Sequence, residues 1–166
     1  MIKPYKISVP QSTLNNIYTK VRAYPWKMMQ NVDGWEYGTN YNFLKKISKY
    51  WVSKYNWKKF ENKINSFKNY KTNVDGINLH FIIEKSKNPK SRPLLLLHGW
   101  PGSVIEFFDI IPRLAHPEKF GGKIEDGFDV IVPSLPGFGF STPIKKALGP
   151  RKIGRILNRF MVKNLG

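Results

Sequence analysis

The chain has 166 residues, 41% of them hydrophobic, with five tryptophans and no cysteine. This length is that of one domain with a real core. The composition excludes a disordered chain, and the lack of thiols excludes a disulfide framework, a thiolate metal site and a thiol nucleophile. The formal charge of +17 raises nucleic acid as a partner class, but the excess sits in residues 1–92, with 18 Lys and Arg against 5 Asp and Glu. There the lysines are interspersed with Asn, Tyr and Ile rather than run together, so a solvated basic surface with no specific nucleic-acid partner is the expectation. The apolar runs are far short of a membrane span, and Met1-Ile2-Lys3-Pro4 has no signal-peptide core, so a cytoplasmic protein without a membrane anchor is expected.

Leu14, Ile17, Tyr18 and Val21 recur at helical spacing, predicting a helix that begins near residues 10–12 and ends before Pro25. Residues 24–40 follow as a loop rich in aromatic and turn residues, and Asn40 is placed to cap the next helix. The buried stripe of that helix is read as Phe43, Leu44, Ile47, Tyr50, Trp51 and Tyr55, and a third helix carries Trp57, Phe60, Ile64 and Phe67. The tryptophans of this region are expected in a core. Near Asn69 the period changes, and Asp75-Gly76 between two strand-like runs signals a two-residue hairpin turn.

The four leucines at 94–97 read as a strand buried on both faces. Gly99, Pro101 and Gly102 force a turn after it. Ser103 with Glu106 is a capping box, predicting a helix over residues 103–114 that Pro112 ends or kinks. The helix start behind this turn suggests a site for an oxyanion or phosphate. Residues 128–132 form another short strand. A Gly-rich loop, Pro136-Gly137-Phe138-Gly139-Phe140-Ser141, follows it, and a last helix opens at Gly149-Pro150 with an apolar face of Ile153, Ile156, Leu157, Phe160 and Met161. Helices, a hairpin and two β-loop-α units predict an α/β sheet with its functional groups at the C-terminal strand ends.

Several chemistries are excluded by spacing. Gly99-Trp100-Pro101-Gly102-Ser103 lacks the glycine spacing and lysine of a phosphate-binding loop, and no G-x-S-x-G nucleophile elbow occurs. His80, His98 and His116 have no metal-ligand spacing, so no metal is expected. His80 reads as structural and His116 as a loop residue. His98 has no acid partner or nucleophile nearby in the sequence and reads as a brace for the turn. The H-G-x-P-G form of that turn is where α/β-hydrolases place one oxyanion-hole donor, here the backbone N–H of Trp100, with His98, Gly99, Pro101 and Gly102 as supporting residues.

At these residues the sequence resembles the epoxide hydrolases of the microsomal and juvenile-hormone type. The resemblance rests on His98-Gly99-Trp100-Pro101-Gly102-Ser103 and on the run from Pro133 through Ser141. Upstream it is supported by Gly34-Trp35-Glu36-Tyr37-Gly38, Tyr50-Trp51, Tyr55-Asn56-Trp57 and the stretch from Phe67 to Asp75-Gly76. It implies an N-terminal helical meander over residues 1–68 and the first four strands of an α/β-hydrolase sheet over residues 69–166. It also implies a cofactor-free conversion of a small-molecule epoxide and water to a vicinal diol through an alkyl-enzyme ester. In that chemistry an aspartate attacks the epoxide carbon, lid tyrosines support the leaving oxygen, and a histidine oriented by a carboxylate activates water. No Asp here matches the nucleophile, Tyr37 and Tyr41 do not match the lid tyrosines, and the acid and base are absent from residues 1–166. The expectation is an N-terminal portion, inert alone. In the family sheet the 94–97 strand is central, so an apolar edge open to self-association is also expected. A non-catalytic interaction module pairing through that edge, and a basic nucleic-acid binder, remain as other readings.

Overall fold

In the computed structural model, residues 1–30 and 34–166 are described; residues 31–33, within the expected 24–40 loop, lie outside them. The chain divides into two compact units, Ser8–Asn62 and a second that joins Met1–Ile7 to Lys63–Gly166.

The first unit is helical. Helix α1 spans Gln11–Arg22 and α2 spans Tyr41–Ser53, with Asn40 capping α2 by accepting the Phe43 N–H at 3.0 Å as its sequence position predicts. Helix α3 begins at Trp57 and runs to Asn65, crossing into the second unit. Within the helical unit Glu61 is buried and accepts from the Val9 N–H at 2.6 Å, Lys58 Nζ at 2.8 Å and Trp57 Nε1 at 3.1 Å. Lys58 first, and then the Val9 N–H, hold its carboxyl below the usual range. The stripe on α2 differs from its expectation. Phe43, Ile47, Tyr50 and Trp51 are all exposed, and α1 and α2 flank an open apolar groove of about 470 Å³ lined by Leu14, Tyr18, Ile47, Trp51 and their neighbours. Of the four tryptophans expected in a core, Trp35 is exposed like Trp51, whereas Trp26 and Trp57 are half-buried. Periodicity reports which face needs cover, not whether the cover is present.

The second unit is a mixed five-stranded sheet. Its strands are β1 (Lys3–Pro4), β2 (Asn69–Val74), β3 (Ile77–Glu84), β4 (Pro93–Leu95) and β5 (Asp129–Pro133), in the order β1-β2-β3-β5-β4. The first four in that order are antiparallel, and β4 lies parallel to β5. Strand β1 adds to the four expected ones; two residues are too short to carry a periodic signal. The β2–β3 turn has positive φ at Asp75 (52°) and Gly76 (81°), the conformation a two-residue hairpin needs.

Alternation along the strands sorts the core into two faces. Leu79, Phe81 and Ile131 pack with Ile156, Leu157 and Phe160, contributed by helix α5 (Pro150–Arg159) and the turn of π-helix after it, residues Phe160–Leu165. Val130 and Val132 bury the opposite face of β5, and α4 (Ile111–Ala115) packs on β3 and β5. The predicted 103–114 helix is in fact a 3-10 turn, Val104–Phe107, followed by the short α4. Pro112 does not end a helix; it sits in the first turn of α4, where its missing N–H costs nothing. The leucine run also departs from expectation. Only Leu94 and Leu95 of it are in β4, Leu97 is 47% exposed, and the strand is not buried on both faces but lies at the sheet edge, the position the resemblance implied.

Candidate functional site

Parallel pairing of β4 and β5 brings their C-terminal ends side by side, so residues 96–103 and 134–141 form one rim. Leu96 still donates to the Ile131 carbonyl at 2.9 Å, and the chain turns beyond it. His98 is buried and spans both loops: its Nδ1 lies 3.0 Å from the Gly99 carbonyl, and its Nε2 lies 3.0 Å from the Leu135 N–H. A carbonyl only accepts and an amide only donates, which fixes the neutral ring with its proton on Nδ1. The Phe138 ring meets His98 edge-on at 5.4 Å. The side chain thus ties the turn after β4 to the loop after β5. Leu135 and Phe138 are the site residues that sequence reasoning missed, since nothing local pairs position 98 with position 135.

The remaining turn residues have distinct reasons. A Cβ on Gly102 would fall 1.4 Å from Glu106 Oε1, because that carboxylate folds back to accept the Ser103 N–H at 3.1 Å. Ser103 Oγ in turn accepts the Ile105 N–H, completing the predicted capping box. The start of the 3-10 turn is therefore occupied by the chain's own carboxylate. Gly99 has open space where a Cβ would sit, and the Trp100–Pro101 peptide is cis. The Trp100 side chain is 84% exposed, and its backbone N–H has no hydrogen-bond partner among the described residues.

Beneath the second loop lies a closed polar network. His80 on β3 is fully buried; its Nε2 is 3.0 Å from Asn69 Oδ1 and its Nδ1 is 2.9 Å from Ser134 Oγ. Asn69 Nδ2 already donates to the Ile64 and Phe67 carbonyls, so its oxygen accepts from His80 Nε2–H. Ser141 Oγ accepts the His80 N–H at 2.9 Å and donates to the Ser134 carbonyl at 2.7 Å. Burial first, then the charge of Lys71, push the His80 pKa down to about 3. His80 is neutral and structural, holding the 134–141 loop in place. His116 directly precedes a 3-10 turn, Pro117–Phe120, and its Nε2 meets Glu84 Oε1 at 2.9 Å, away from the rim. No group of three or more His, Asp or Glu among the described residues could hold a metal ion.

Two family profiles match the chain: epoxide hydrolase N terminus over residues 2–107 and alpha/beta hydrolase fold over residues 92–164. The chain belongs to the epoxide hydrolase N-terminus family. It is similar to a putative epoxide hydrolase of Stigmatella aurantiaca, 44% identical over 155 residues that make 93% of this chain and 35% of that protein. Juvenile hormone epoxide hydrolase 1 of Ctenocephalides felis is 35% identical over 164 residues, 96% of this chain and 35% of that protein. Among solved structures, the Aspergillus niger epoxide hydrolase superposes on the whole chain with a TM-score of 0.82 at 30% identity, and this chain covers 43% of it. The juvenile hormone epoxide hydrolase of the silkworm Bombyx mori gives 0.84 at 31% identity, with 39% of its chain covered. The chain thus spans about a third to two fifths of the epoxide hydrolases it matches. Both the family and the α/β-hydrolase fold expected from the residues are shown.

Proposed function

We propose that this chain supplies the N-terminal part of an enzyme that hydrolyses small-molecule epoxides to vicinal diols, contributing one donor to its oxyanion hole. The observation that supports the reading is the unengaged Trp100 N–H on a turn at the C-terminal end of β4, held by His98 against the loop after β5. In an α/β-hydrolase a donor from this turn faces the oxyanion of a tetrahedral intermediate. Such a donor is fixed before the reaction and needs no reorganisation as charge develops. His98, Gly99, Pro101 and Gly102 serve as supports for that geometry, and the reaction uses water without a cofactor.

The nucleophile, the base and the acid are supplied by residues that 1–166 does not contain. Loss of one oxyanion donor costs roughly 10²–10³ in rate, whereas loss of the nucleophile removes the covalent route altogether. The 166-residue chain by itself is therefore inert. No helix among the described residues is long and apolar enough to cross a membrane, and residence in the cytoplasm is part of the same proposal.

The test joins residues 1–166 to the downstream portion of the Stigmatella aurantiaca relative and measures diol formation from an epoxide panel. Turnover in the fusion, and none in the 166-residue chain, is the expected result. A folded fusion that forms no diol, alongside an active intact relative, would overturn the proposal.

A further inference from the structure

We propose that the buried Ser141 hydroxyl is a positioning group for the Trp100 oxyanion donor, acting through two peptide groups and the His98 ring joined end to end by hydrogen bonds. This role rests on the oxyanion reading of the Trp100 N–H given above and adds what holds that donor in place. The contacts all run in one sense. The His80 N–H donates to Ser141 Oγ at 2.9 Å, and the Ser141 hydroxyl donates to the Ser134 carbonyl at 2.7 Å. The Leu135 N–H, in the same peptide group as that carbonyl, donates to His98 Nε2 at 3.0 Å. His98 Nδ1–H then donates to the Gly99 carbonyl at 3.0 Å, and the other end of the Gly99–Trp100 peptide is the Trp100 N–H.

Chemistry fixes the direction of this series. Its first donor is a backbone amide, which cannot accept, so the single Ser141 proton goes to the Ser134 carbonyl. An amide facing Nε2 and a carbonyl facing Nδ1 fix the His98 proton in the same way. The Ser134–Leu135 and Gly99–Trp100 peptides are both trans, so the carbonyl and the N–H of each point in opposite directions and the series passes straight through. Turning the Ser134–Leu135 peptide would break bonds at both its ends. His80, His98, Ser134 and Ser141 are all buried, so water does not replace a lost link. In such surroundings hydrogen bonds aligned in one sense polarise one another, each making the next donor more positive. The last donor in line is the Trp100 N–H, and every link lies between residues 80 and 141 of this chain.

Two measurements test this role. In the 166-residue chain, the ring nitrogen signals in NMR spectra are expected to place the His98 proton on Nδ1, with a coupling across the hydrogen bond from the Leu135 amide to Nε2. Ser141→Ala is expected to weaken that coupling and to shift the Leu135 and Trp100 amide signals together. In the fusion of residues 1–166 with the downstream portion of the Stigmatella aurantiaca relative, the oxyanion forms only as water adds to the alkyl-enzyme ester. Ser141→Ala is therefore expected to slow ester hydrolysis about tenfold, short of the roughly 10²–10³ for a whole lost donor. Ester formation stays unchanged, so the ester accumulates. Asn69→Ala removes a buried partner of His80 outside the series and is expected to lower stability without slowing ester hydrolysis. Both steps slowed alike in Ser141→Ala, hydrolysis slowed equally in Asn69→Ala, or a His98 proton on Nε2 would overturn the proposal. So would Leu135 and Trp100 amides indifferent to Ser141→Ala. A wild-type fusion that forms no diol defeats the epoxide reading alone, and the ring and amide signals of the 166-residue chain then decide the role of Ser141. If Ser141→Ala does not fold, Ser141→Cys, which keeps a weaker donor, is expected to shift the same signals in the same direction, and no shift would count against the proposal.

Discussion

His80 makes the second unit sensitive to mild acid, and the size of the effect can be worked out. The ring is buried and neutral, its pKa depressed from 6.5 in the unfolded chain to about 3 in the fold. A histidine lowered on folding is bound by more protons in the unfolded state, so its contribution to stability is fully present above pH 6.5. That contribution falls as the pH drops from there toward 3. Between pH 7 and pH 5 the folded ring stays neutral while the unfolded one charges, a loss of about 2 kcal/mol from this residue alone. Against a total of roughly 5–15 kcal/mol for a domain, that is a visible fraction. The assay is urea unfolding at both pH values and one fixed protein concentration, comparing the wild-type chain with His80→Gln. His98 and His116 are common to both proteins, and Glu61, Glu118 and Asp129, whose carboxyls are held below their usual range, contribute only at lower pH. The wild type should lose about 2 kcal/mol more than the variant over this interval. Equal losses in the two proteins would refute the assignment of a neutral, buried ring.

Two further outcomes test the packing and the rim. Phe160→Ala removes the ring that meets Phe81 edge-on at 4.8 Å in the core beneath α5, and should cost about 3–5 kcal/mol of unfolding free energy in the same urea experiment. His98→Ala leaves the Leu135 N–H and the Gly99 carbonyl without their partner, a cost of about 1–3 kcal/mol. The Leu135 amide should exchange faster in that variant while the Val132 amide within β5 is unchanged; unchanged exchange at Leu135 would remove His98 as the link between the loops.

Features whose cause lies within a few residues were legible in the sequence. Asp75-Gly76 demands positive φ and forms the hairpin turn; Asn40 and the Ser103–Glu106 pair satisfy helix-start donors three residues away. Features set by distant partners were not. The four leucines alone signal a strand buried on both faces; its place at the sheet edge follows only from the family resemblance, because it depends on which strands are present to flank it. The Asn69–His80–Ser134–Ser141 network joins positions up to 72 residues apart by hydrogen bonds that leave no local pattern. The 103–114 segment splits because Pro112 opens a short helix of its own, a first-turn position that suits proline as well as a helix end does and that sequence alone does not distinguish.

The same distinction decides what the Trp100 turn can bind. From sequence, a helix start behind a glycine turn suggests a general anion site, phosphate included. In the fold, Glu106 Oε1 already accepts the Ser103 N–H, and Ser103 Oγ takes the Ile105 N–H. A phosphate at that helix start would have to displace a carboxylate held by the capping box, giving up about 1 kcal/mol of cap, or sit beside its charge. At 4 Å and an effective dielectric of about 20, such a like-charge contact costs roughly 4 kcal/mol. The Trp100 N–H lies outside this arrangement, on the preceding turn, and is not engaged by it. A single neutral backbone donor suits an oxygen that becomes anionic only during reaction better than it suits a permanent dianion, which calls for several donors or a cation. Glu106 therefore weighs against a general anion site at this turn and in favour of the proposed oxyanion donor, because it fills the place that phosphate would take.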